Sequence, residues 1–142
     1  SQGAQETGMV FKQTWVIAFY DSRIRRGWWS RIARRGFGHL MIMSPLNGHW
    51  IVIDSTIRGI DVQSISEKQI RHLFKYLRDR NAVALQVTQN EQQWYCTNGI
   101  FNCASLASRI VGLRKPKWFP YSLYRALLKN GARSFSLENY GD

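Results

Sequence analysis

Apolar residues recur along this chain with two different periods, and the switches between them lay out its elements. Thr14 to Tyr20 (Thr-Trp-Val-Ile-Ala-Phe-Tyr) is a short apolar, β-prone run ending at Asp21-Ser22, which predicts a buried strand. From Arg23 to Arg35 the period becomes helical, with Ile24, Trp28 and Ile32 at steps of four. Two β-prone runs, Phe37 to Ser44 and His49 to Ser55, then flank Pro45-Leu46-Asn47-Gly48. Asn-Gly between such runs predicts a hairpin. With Pro45 to Gly48 as the loop, Ser44 faces His49 and His39 faces Asp54. Alternation then sets His39, Met41 and Met43 on one face with Trp50, Val52 and Asp54.

Gly59 to Ile65 predicts another short strand. Ser66-Glu67-Lys68-Gln69 is a capping box that opens a helix to about Arg80, with Ile70, Leu73, Phe74 and Leu77 inward. Ala82 to Thr88 returns as a strand, and Asn90 to Gly99 is polar and connecting. Asn102 is a good N-cap for a helix that starts at Cys103 and stops at Gly112. Leu106, Ala107, Ile110 and Val111 share the face of Cys103 and are expected inward. A last helix spans Phe119 to Gly131, with Pro120 in its first turn and Gly131 after its end. The tail from Ala132 carries no strong signal. The fold class expected is α+β, a small, mostly antiparallel sheet packed with helices.

Length and composition narrow the function. The 142 residues suit one domain, and 44% apolar with 13% aromatic content is that of a folded chain. No apolar run approaches the twenty or so residues that a membrane span requires. Ser1 to Gly8 is polar and has no signal-peptide core, and Met9 reads as a natural start. The expected division is therefore a remnant or disordered lead at 1–8 and a single domain at 9–142. The net charge of +11 implies an anionic partner: nucleic acid, an anionic wall polymer, a lipid surface or an acidic protein. Arg31, Arg34 and Arg35, near Trp28 and Trp29, are the candidate anion-binding residues. A solvated basic helix face, anchored by its tryptophans, accounts for the same pattern. Cys96 and Cys103 stand seven apart with no metal-ligand spacing, so no metal, cofactor or disulfide framework is expected.

One constellation can do chemistry. A cysteine nucleophile needs a base, a group that orients the base, and donors for the oxyanion. Cys103 stands at a helix start, where the dipole favours a thiolate. His39 is the candidate base and Asp54 its orienting partner. The Cys103 N–H is the natural first oxyanion donor, and a second is expected near Tyr20 or Asp21 at the end of the first strand. Taken singly, each residue has a structural explanation: buried cysteines are commonly inert, strand histidines are commonly hydrogen-bonded supports, and aspartates end strands. His49 faces away from His39 in this register, His72 lies mid-helix, and Cys96 lacks a helix start.

Phe37-Gly38-His39-Leu40, the hairpin with Trp50 and Asp54, Asn102-Cys103 opening a helix that ends Val111-Gly112-Leu113, and Phe119-Pro120-Tyr121-Ser122-Leu123-Tyr124 follow one another in order. From about Thr14 to Gly131, this resembles the circularly permuted NlpC-like branch of the papain-like cysteine hydrolases. Lecithin retinol acyltransferase-type enzymes of that branch also place a histidine ahead of an Asn-Cys helix start. The resemblance implies a papain-like core and a Cys-His-polar triad with Cys103 as nucleophile and His39 as base. Asp54 as third member rests on the hairpin count. The lipid acyltransferases carry a second histidine at that place and a membrane anchor; neither is seen here, which argues against lipid chemistry.

The expectation is a cysteine hydrolase cleaving an amide bond in a peptide or peptidoglycan-like substrate through a thioester. The alternatives are a non-enzymatic basic module for nucleic acid or an anionic surface, and an acyltransferase or thioesterase on the same triad. A cytoplasmic or virion-associated protein of bacterial or phage origin is compatible with these features.

Overall fold

The computed structural model describes residues 13–21, 36–56, 59–88, 103–113, 117 and 119–138, with the backbone alone at 55, 56, 59 and 103. The predicted 23–35 helix and the 90–99 connection lie outside the described residues. The strands are β1 (Thr14–Tyr20), β2 (His39–Leu46), β3 (His49–Thr56), β4 (Gly59–Ser66), β5 (Val83–Thr88) and the short β6 (Arg133–Ser134). The helices are α1 (Glu67–Asp79), α2 (Cys103–Ile110) and α3 (Pro120–Lys129). All six strands form one antiparallel sheet in the order β4-β3-β2-β1-β5-β6. The class is α+β, as the periodicity implied. No helix among the described residues is long and apolar enough to cross a membrane.

β1 lies inside the sheet, paired along Val16↔Met43 to Tyr20↔His39 on one side and Thr14↔Thr88 to Phe19↔Val83 on the other. Val16 through Tyr20 are all buried, so alternate residues feed two separate cores. On one face Val16, Ala18, Met41, Met43 and Trp50 meet Ile70, Phe74 and Leu77 of α1. On the other, Ile17, Phe19, Leu40 and Ile42 meet Ala104 and Ala107 of α2 and Leu123 and Leu127 of α3.

The local signals for the helices behave as expected at α1 and α3. The Ser66 hydroxyl accepts the Gln69 N–H at 3.2 Å while the Gln69 side chain accepts the Ser66 N–H at 2.8 Å, closing the capping box. Pro120 opens α3, and Gly131 follows it at φ +90°. At α2 the buried stripe is rotated from the expected one. Ala104, Ser105, Ala107, Ser108 and Val111 are buried, whereas Leu106 and Ile110 are only partly so. Small side chains on that stripe let the helix lie close to the sheet, and the longer ones take its flanks.

The hairpin differs from the expected register. Only Asn47 and Gly48 form the loop, at φ +51° and +78°, and Leu46 faces His49 while Met41 faces Asp54. Two consecutive left-handed residues make the turn that matches strand twist, so pairing runs on through Pro45 and Leu46. A shift of two keeps every side chain on its predicted face; a shift of one would have exchanged the faces. β6, built from a tail without strong signal, pairs with β5 at Leu85↔Ser134 and Gln86↔Arg133.

Gly48→Ala places a β-carbon in left-handed backbone and is expected to cost about 1 kcal/mol. Urea unfolding should show a lower midpoint at unchanged slope.

Candidate active site

The start of β2 is fixed by the end of β1. The Asp21 carboxylate accepts the Gly36 N–H at 2.8 Å and the Gly38 N–H at 3.0 Å, stapling the turn before His39. A β-carbon on Gly38 would lie 2.8 Å from Asp21 Oδ1, so glycine is required for that approach. Between the glycines, Phe37 packs its ring against Phe19, Tyr121 and Tyr124 with centroids 5.0 to 5.5 Å apart. The turn thus sends Phe37 to the α3 side and His39 to the α1 side. The aromatic-Gly-His string and the Pro-x-x-Leu-Tyr string are in direct contact through these rings.

His39 Nε2 lies 2.7 Å from Asp54 Oδ1, with the two side chains 25% and 32% exposed. The residues are diagonal neighbours, because Asp54 pairs with Met41, and a histidine is long enough to close that diagonal. The Tyr20 ring meets the His39 ring edge-on at 5.3 Å and is itself buried. With Nε2 engaged by the carboxylate, the matching tautomer donates Nε2–H to Asp54.

Tyr20 and Asp21, expected near the second oxyanion donor, have different visible tasks: one ring flanks His39, and one carboxylate accepts.

Cys103 is the first residue of α2. Its side-chain placement, like Asn102, Cys96 and Arg31, Arg34 and Arg35, lies outside the described residues. The helix itself packs on the sheet face opposite His39. It touches β2 and β3, and Val111, just past its end, lines a cavity with Gln86, Val87 and Thr88 of β5. The helix therefore begins on the β2–β3 side of the sheet and finishes toward β5. His39 is the first residue of β2, so a thiol from α2 reaches it only around the strand's end.

A residue missed by the sequence reading stands beside the pair. Asp61 of β4 lies directly across from Asp54, and its Oδ2 accepts from Gln63 Nε2 at 2.9 Å. The strand containing Asp61 was predicted, but its register against β3 was not. Asp54, Asp61, Gln63 and Gln69, with Met41 and Leu73, wall a cavity of about 240 Å³ under α1. His49 and His72 are exposed, away from the pair. Among the described residues no group of three His, Cys, Asp or Glu side chains is arranged to hold a metal ion. Compared with known proteins, the chain matches no family model, no curated protein and no solved structure.

Asp21→Ala removes the acceptor of two backbone N–H groups and is expected to destabilise the protein by about 1 to 3 kcal/mol. The His39 ring resonances should shift in the same variant, because the turn that places the ring is released.

Proposed function

We propose that the protein is a cysteine hydrolase on a permuted, NlpC-type papain-like core, cleaving an amide bond in a peptide or peptidoglycan-like substrate. The His39–Asp54 contact of 2.7 Å, made by the first residue of a strand whose lead-in turn is clamped by Asp21, is the observation that carries this reading. Cys103 at the opening of α2 is the nucleophile.

His39 Nδ1 takes the thiol proton, and the sulfur attacks the amide carbon. The Cys103 N–H, among the unpaired donors of the helix start, stabilises the oxyanion. The C–N bond breaks as His39 gives its proton to the leaving amine, forming the thioester. Water, deprotonated by His39, then attacks the thioester to release the acid and restore the thiol. Asp54 holds the ring and balances the imidazolium in both halves.

The placement of α2 and the His39 ring on opposite faces favours a second reading, in which the pair is structural and the protein is a basic binding module. Transfer of the acyl group to an amine or alcohol in place of water would make it an acyltransferase.

Labelling by a thiol-reactive acyl probe, mapped to the Cys103 peptide so that Cys96 is excluded, separates these. Cys103→Ala should abolish the label, His39→Ala should slow it at least about 100-fold, and Asp54→Asn should weaken it. Alkylation of Cys103 should stay fast well below the ordinary thiol pKa of about 8.5. Free-thiol titration of Cys103, with labelling indifferent to His39, would leave the binding-module reading.

A further inference from the structure

α3 buries one side and leaves the other open to solvent. Leu123 and Leu127 are in the core, whereas Phe119, Ser122, Arg125 and Lys129, at spacings of three, three and four, run along the outer face. Lys117 joins this line from the preceding segment, where its N–H donates to Ser108 Oγ at 2.9 Å, and Ser108 in turn donates to the Ala104 carbonyl at 2.7 Å. That link ties the lysine to α2.

Lys117, Ser122, Arg125 and Lys129, with Ala126 and Leu128, line a groove of about 540 Å³, and among the described residues no carboxylate lines it. Among the described residues no ion pair neutralises the three cations. Phe119, at the head of the line, is 55% exposed.

We propose that this groove binds single-stranded nucleic acid, with phosphates on Lys117, Arg125 and Lys129 and an unpaired base stacked on Phe119. The ten residue steps from Phe119 to Lys129 rise about 15 Å, long enough to follow a few phosphates of one strand. A ring beside a basic track suits a base whose face is open, which a duplex does not offer. A lipid surface would call for a broad apolar helix face; Leu123 and Leu127 of α3 are in the core, and outward only Phe119 and Leu128 are large, apolar and exposed. The proposal uses none of the residues assigned to the thiol chemistry, and it stands whether or not the hydrolase reading does.

Fluorescence anisotropy of the full chain tests it with a labelled oligo(dT) 12-mer, a duplex of equal length and vesicles of anionic phosphatidylglycerol. The oligonucleotide should bind in preference to both, with affinity falling steeply as salt rises. A combined Lys117→Gln, Arg125→Gln and Lys129→Gln variant should lose at least tenfold in affinity and about 2 from the log–log salt slope, three contacts at about 0.7 each. Phe119→Ala should weaken the single strand about tenfold and leave duplex binding unchanged. Thermal midpoints equal to the parent's would show that both variants are folded. An unchanged salt slope in the triple variant, no effect of Phe119→Ala, or preference for duplex or vesicles would overturn the assignment.

Discussion

Five consecutive residues of β1, Val16 to Tyr20, are withdrawn from water on both faces, and the other elements are placed by that requirement. A strand buried on two faces needs a partner on each edge and a helix over each surface. β2 and β5 supply the edges, α1 covers one surface, and α2 with α3 cover the other. The same division sorts the chemistry. His39 and Asp54 inherit the α1 surface through alternation, whereas Cys103 arrives on the other surface with α2. A site combining them would have to bridge the two surfaces around the start of β2, where His39 stands.

The start of β2 is held unusually well for a strand terminus. Asp21 grips the backbone at Gly36 and Gly38, Phe37 is wedged among Phe19, Tyr121 and Tyr124, and Tyr20 limits the His39 ring from the side. Each contact alone is worth roughly a kilocalorie per mole. Together they fix a ring orientation that a single hydrogen bond to Asp54 would leave loose. Gly38 makes this possible, because any side chain there would collide with the carboxylate that does the gripping.

Much of this was legible in the residues. Period-two runs located the strands, Ser66-x-x-Gln69 marked the start of α1, and Pro120 and Gly131 bounded α3. The face shared by His39 and Asp54 was legible too, since it depends on parity alone. Their pairing was not, because Asn47-Gly48 and the longer Pro45-to-Gly48 loop give registers two apart with the same alternation. β6 escaped because two residues that pair only with β5 carry no periodicity. On α2, Ala107 and Val111 were legible as buried, whereas Ala104, Ser105 and Ser108 escaped because alanines and serines are weaker apolar markers than Leu106 and Ile110. Asp21 is an ordinary strand-ending aspartate in sequence; only the folded turn turns it into a staple. Asp61 had no signal, because cross-strand neighbours are set by tertiary pairing.

Asp61 bears on what the histidine does. Two carboxylates directly opposed across β3 and β4 repel each other, and such a pair persists when donors serve both. Gln63 serves Asp61, and His39 serves Asp54. A glutamine in place of His39 would meet that need as neutrally as Gln63 does. An imidazole adds a second ring nitrogen and with it the capacity to exchange a proton beside the Asp54 carboxylate. On the proposed reading, the proton that the ring takes comes from the thiol that opens α2.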